Sequence, residues 1–181
     1  MSEYKMLIGG NLVDGDMTMD VINPATGDTF VTVPRASPRQ ADAAIATAKA
    51  AQPAWAAVSF DERREKITQL ADAIAARKDE LARLLTMEQG KPLPEAQGEV
   101  AWTEGYLRHY ATLELPDRVI QDDDSGYVAV RHKPLGVGVG IIAWNFPLLV
   151  ACWKIGPAVL AGNAIVLKPA PTTPVTALAL G

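Results

Sequence analysis

Two polar residues each close an apolar run, and a helix-length apolar segment lies between them. The first is Asn145, in Ala143-Trp144-Asn145-Phe146-Pro147. The second is Lys168, in Asn163-Ala164-Ile165-Val166-Leu167-Lys168-Pro169. An amide where a strand ends can donate a hydrogen bond to a developing oxyanion, worth roughly 3 to 4 kcal/mol in comparable sites. Asn is also a common turn former and helix cap, and on residue type alone that plainer reading comes first. A cation at the end of a buried strand suits an adenosine ribose or its 2′-phosphate. A lysine that merely snorkels to solvent fits the same spacing equally well.

Other candidates carry less. Cys152 sits mid-helix between Ala151 and Trp153, so an inert core thiol is expected, because a reactive one needs exposure and a positive setting. His109 and His132 have no partners at metal or triad spacing and read as surface or packing residues. Asp122-Asp123-Asp124 reads as a solvated turn. Magnesium and calcium need oxygens converging from several directions, and no metal site is expected. Gly138-x-Gly140-x-x-Ala143 matches the letters of a dinucleotide fingerprint, but its glycines lie inside or before a strand instead of opening a helix. Close strand packing is the better reading of them.

The elements that position these residues follow from periodicity and punctuation. Met6 to Val33 is β-like, with short apolar runs parted by Gly9-Gly10-Asn11, Asp14-Gly15-Asp16 and Asn23-Pro24-Ala25-Thr26-Gly27. Ser37, Pro38 and Gln40 form a helix start with a capping box, and the helix should run to about Ala51 and halt near Pro53. Ser59 with Glu62 repeats the signal ahead of Ile67, Leu70, Ala71 and Ile74. Asp79 is expected to cap a third helix ending at Gly90, and a fourth spans roughly Glu95 to Ala111. Residues 37–111 are read as helical scaffold without chemistry. Val119 to Val130 reads as a hairpin. Val137 to Ile142 reads as a strand buried on both faces. Leu148 to Leu160 is a helix closed by Gly162-Asn163. Ala164 to Leu167 is a second buried strand, and Thr173-Pro174 starts another helix. Strand, helix, strand with short loops is a βαβ unit of a parallel sheet. The fold class is therefore α/β: an incomplete Rossmann-like parallel sheet preceded by a β-hairpin region and a helical segment. Expected divisions are 1–116 for the strands and helices, 117–133 for the hairpin and 134–181 for the start of the parallel core.

The chain has 181 residues, 49% of them hydrophobic, which suffices for one domain with a core. A net charge of -4, with no basic run, argues against a nucleic-acid partner. No stretch approaches the roughly 20 apolar residues of a membrane span. A single cysteine excludes an intrachain disulfide, and the lack of a signal-like N-terminus fits a reducing cytoplasm.

Together, Trp144-Asn145-Phe146-Pro147-Leu148, Trp153-Lys154-Ile155-Gly156-Pro157-Ala158, Gly162-Asn163 and Leu167-Lys168-Pro169 resemble the aldehyde dehydrogenase superfamily. Ile22 to Gly27, Glu88-Gln89-Gly90-Lys91-Pro92 and Lys133 to Val137 extend the resemblance over residues 7–181, less than half of the family's usual length. It implies oxidation of an aldehyde to an acid with NAD or NADP: a cysteine thiolate attacks the carbonyl, hydride leaves to the nicotinamide, and water hydrolyses the thioester. It makes Asn145 the oxyanion donor. Ile141, Ile142, Ala143, Trp144 and Lys168 become the cofactor cleft, and Phe146, Leu149, Val150 and Trp153 the wall of the aldehyde channel. Hairpin 117–133 becomes an arm joining subunits of a homo-oligomer. Pro171 stands where many members have a Glu that binds both ribose hydroxyls, which leaves NAD and NADP both open; Ala143 replaces a frequent Pro. The resemblance puts the nucleophilic Cys and general-base Glu beyond Gly181, and Cys152 does not align with the nucleophile. It thus implies that this chain alone lacks the chemistry. A truncated nucleotide-binding or assembly module is the alternative.

Overall fold

The computed structural model describes residues 4–181, and in it strands come first, then a helical layer, then a parallel strand pair. β1 (Met6–Ile8) and β2 (Asn11–Val13) form one antiparallel hairpin, and β3 (Met17–Ile22) and β4 (Thr29–Arg35) a second, with a bulge at Val21/Ile22. Val21 and Val33 are buried against Val175. This supplies the apolar partner that an isolated hairpin lacks.

Four helices follow. α1 (Pro38–Ala57) and α2 (Phe60–Ala76) start with the capping boxes read from Ser37/Gln40 and Ser59/Glu62. Pro53 does not stop α1, which continues to Ala57. The proline forfeits the bond to the Lys49 carbonyl. The last turns are held from outside instead: Trp55 Nε1 donates to the Val159 carbonyl at 2.9 Å and Gln52 Nε2 to that of Gly162 at 3.0 Å. α3 (Lys78–Gln89) is capped by Arg77 without a side-chain bond, not by Asp79, which falls in its first turn. The break between α2 and α3 is a single residue, so the second helix has already begun at Asp79. α4 (Leu93–Thr112) lies against α2 and α3. Ile67, Ala71, Ile74, Leu81, Leu85, Val100 and Leu107 form their common core.

Gly90 ends α3 with φ +90°, and a Cβ on it would lie 2.7 Å from the Pro24 ring. Only glycine meets both conditions. The turn it makes sends Lys91 into the interior, 9% exposed.

β5 (Arg118–Asp123) and β6 (Gly126–Val130) form the expected hairpin. In its turn the Asp123 carboxylate accepts from Ser125 N at 2.8 Å and from Gln121 Nε2 at 3.1 Å. β7 (Val137–Ile141) and β8 (Ala164–Lys168) run parallel, joined by α5 (Pro147–Leu160), and α6 (Val175–Leu178) follows. Register runs from Val137↔Ala164 to Ile141↔Lys168. A Cβ on Gly140 would come within 2.8 Å of both Leu167 and Lys154, so this glycine does permit close packing of α5. β7 is not buried on both faces. Val139 and Ile141 are 58% and 68% exposed. The apolar run shows what the strand can be packed against; this chain covers only the face that bears Gly140. Among the described residues no helix is long and apolar enough to cross a membrane.

Glu88 on α3 joins the helical layer to the C-terminal segment. Its buried carboxylate accepts from Val175 N at 2.6 Å and Thr176 N at 3.1 Å, and from the Thr176 hydroxyl. Burial outweighs these bonds and pushes the carboxyl from 4.5 up to about 7, with nearby Glu99 adding a smaller push in the same direction. A carboxyl raised in the folded state binds more protons there than in the unfolded chain. Its contribution is therefore full below about pH 4.5 and is lost as pH rises through about 7. The displacement corresponds to roughly 3 kcal/mol at most. Denaturant midpoints should accordingly fall between pH 5 and 7.5, and Glu88→Gln should flatten that slope. Equal slopes in the two proteins would contradict the assignment.

Candidate functional site

The site is built around the turn from β7 into α5. A helix N-terminus leaves its first N–H groups without intrahelical partners. Here the N-cap is Phe146, whose side chain cannot accept a hydrogen bond, and Pro147 follows with no N–H. The missing acceptor comes from α4: Glu99 Oε1 accepts from Leu148 N at 3.0 Å and Leu149 N at 3.1 Å. A carboxylate is well matched to the positive end of the helix.

The other Glu99 oxygen pairs with Lys91 Nζ. Lys91 Nζ also donates to the main-chain carbonyl of Asn145 at 2.9 Å and stands 4.1 Å from the centre of the Phe146 ring. The side chains of Lys91 and Glu99 are 8% and 0% exposed. The backbone is thus held on both sides of the turn, while Asn145 itself remains exposed.

Asn145 lines a cavity of about 490 Å³ together with Trp102, Tyr106, Phe146, Leu149, Val150 and Trp153. Trp102 faces Phe146 with ring centroids 6.3 Å apart, and Tyr106 faces Trp153 at 5.2 Å. Phe146, Leu149, Val150 and Trp153, all anticipated from sequence, are brought together with Asn145 as one wall. Trp102 and Tyr106 were not anticipated, since residues 37–111 were read as scaffold. Their spacing of four on α4 was the available signal: it puts two aromatics on one helical face. Lys91 and Glu99 were missed for the same reason.

The remaining predicted residues gather at the carboxyl edge of the parallel pair. Ile141 pairs with Lys168 in the ladder, and Ile142 N donates to the Lys168 carbonyl at 3.0 Å. Ile142 is buried, whereas Ile141, Ala143, Trp144, Lys168 and Pro171 are exposed. Lys168 Nζ donates to the Pro169 carbonyl at 3.0 Å. This edge, with an apolar shelf and one ammonium, fits the crevice in which open α/β sheets bind ligands. His109 and His132 are exposed.

Fold and site together define the class: an α/β protein with a parallel Rossmann-like sheet and an aromatic cavity where the first crossover helix begins. Residues 12–181 match the model of the aldehyde dehydrogenase family, and the chain belongs to that family. Among solved structures, an NADP dependent enzyme from E. coli superposes with a TM-score of 0.94 at 37% identity, over 99% of this chain and 38% of that one. An aldehyde dehydrogenase from Brucella melitensis biovar abortus gives 0.94 at 35% identity over the same shares. A point mutant of betaine aldehyde dehydrogenase from Staphylococcus aureus, in complex with NAD+, gives 0.94 at 29% identity, again over 99% and 38%. The chain spans about 38% of the length of these structures and has the fold of their N-terminal, Rossmann-like region.

Cys152 lies in the core cluster, fully buried, and desolvation followed by the Glu99 charge pushes its thiol up to about 12. The thiolate is the reacting form. Ellman's reagent should therefore leave the native chain unlabelled and modify its single cysteine only on denaturation. Rapid native labelling would show that the thiol is accessible.

Proposed function

We propose that this chain supplies the oxyanion donor and part of the cofactor cleft of an enzyme that oxidises an aldehyde to a carboxylic acid with NAD or NADP. The observation that carries this reading is the placement of Asn145. Its main chain is held by the buried Lys91, at the rim of an aromatic cavity and beside the carboxyl edge of β7 and β8. When a carbonyl is attacked, negative charge collects on its oxygen, and a preorganised amide donor stabilises that charge more than the ground state. Phe146, Leu149, Val150 and Trp153, with Trp102 and Tyr106, would hold the aldehyde's hydrocarbon part, since among the described residues no charged side chain lines this wall.

Ile141, Ala143 and Trp144 form the exposed shelf for the dinucleotide, with Ile142 buried beneath it, and Lys168 meets its ribose. A bound nicotinamide would supply the hydride acceptor. Pro171 carries no carboxylate, so nothing at that position repels a 2′-phosphate or accepts from ribose hydroxyls. The exposed apolar residues Val119, Ile120, Tyr127, Val128 and Val130 of the hairpin support subunit joining within 117–133. Residues 1–116 and 134–181 would belong to the cofactor-binding part.

In the full-length gene product, Asn145→Ala should lower aldehyde-dependent turnover about 100- to 1,000-fold. Its cofactor KM should hardly change. An unchanged turnover removes Asn145 from the mechanism. Pro171→Glu should raise the KM for NADP+ by about tenfold or more relative to NAD+, through like-charge repulsion. An unaltered NADP+/NAD+ preference would show that this position does not reach the ribose.

A further inference from the structure

We propose that Lys91 and Glu99 are positioning residues for Asn145: a buried ion pair whose task is to fix the turn that presents the amide. The inference rests on the oxyanion reading of Asn145. Every polar position of the pair that faces the turn is used. Glu99 Oε1 takes the amides of Leu148 and Leu149 at 3.0 and 3.1 Å, and Oε2 takes Lys91. Lys91 Nζ donates to the Asn145 carbonyl at 2.9 Å and lies against the Phe146 ring. One pair therefore grips the backbone on both sides of Phe146 and Pro147. Thr103 Oγ1 back-bonds to the Glu99 carbonyl at 2.7 Å, one turn along α4.

Stability is a weak reason for such a pair. Desolvating two charges cancels much of their attraction, and apolar substitutes of equal volume often do as well or better. Geometry is the stronger reason. Pro147 fixes its own φ but has no N–H, and Phe146 has no capping oxygen, so no local capping bond holds the chain between β7 and α5. A displacement of about 1 Å at a reacting group can cost about 100-fold in rate. The pair reaches across from α4 and the α3–α4 junction to make the bonds that the local sequence cannot.

The test uses the full-length gene product and aldehyde-dependent NAD(P)H formation in a double-mutant cycle. Lys91→Met/Glu99→Gln removes both charges together, so that no buried charge is orphaned. We expect kcat to fall about 100-fold. The KM for the cofactor should stay within threefold, and the same pair of changes made on top of Asn145→Ala should produce no further loss. If the double variant does not fold, as read by thermal melting, Glu99→Gln alone keeps the shape and should give a smaller loss that likewise vanishes in the Asn145→Ala background. A purely structural role would make the losses multiply, and that result overturns the proposal, as does a turnover unchanged by the pair while Asn145→Ala is slow. If Asn145→Ala is itself as active as wild type, or the wild type oxidises no aldehyde, the oxyanion reading falls and this inference falls with it.

Discussion

The helices α5 and α6 begin inside the protein, where the amides of their first turns have no water to meet. Neither helix carries a capping side chain of its own: Phe146 and Pro174 occupy the N-cap positions. The acceptors are two buried carboxylates of the helical layer, Glu99 on α4 and Glu88 on α3. An unpaired buried N–H costs about 1 to 3 kcal/mol. These carboxylates fix the amino ends of α5 and α6 against the helical layer, while Trp55, Gln52 and Arg63 bond to carbonyls at the carboxyl end of α5. Hydrophobic contact between Leu148, Cys152 and the α2–α4 core is compatible with several depths of insertion. The carboxylates, with these bonds, select one.

The two carboxylates differ in what balances their charge. Glu99 has Lys91 as a direct partner. Among the described residues Glu88 accepts only from neutral donors, and burial raises its carboxyl to about 7. The junction of α3 with α6 is thus pH-sensitive. The junction that serves the cavity has its countercharge built in. The same countercharge binds the Asn145 carbonyl, so the bond that neutralises Glu99 also sets the turn at the cavity rim.

Features governed by neighbouring residues were legible in the sequence. Ser37 and Ser59 cap the helices that follow them with partners, Gln40 and Glu62, only three residues away, and Gly90 and Gly162 end helices through positive φ. The strand–helix–strand order of residues 137–168 likewise followed from apolar runs and their punctuation. What stayed hidden depends on partners far along the chain. Pro53 is tolerated because Trp55 and Gln52 bond to residues more than a hundred positions away. Lys91 meets Asn145, 54 positions away, and Glu99 meets Leu148 and Leu149 at separations of 49 and 50. A lone Lys and a lone Glu on a helical scaffold look like solvated charges until the fold buries them together. Of the candidate site, the wall contributed by α5 was implied by the family resemblance of its motif and not by its spacing. The half contributed by α4, Trp102 and Tyr106, was not, because nothing local says which of its faces opens onto a cavity.

A crystal structure of the full-length protein, with NAD(P)+ and a carboxylic-acid product or unreactive aldehyde analogue bound, tests the central claim most directly. The quantity to read is the distance from Asn145 Nδ2 to the nearer ligand oxygen. The account predicts about 2.7 to 3.1 Å, with the Lys91–Asn145 main-chain bond intact. An amide turned away from the ligand, or a ligand seated outside the Trp102–Trp153 cavity, would contradict it.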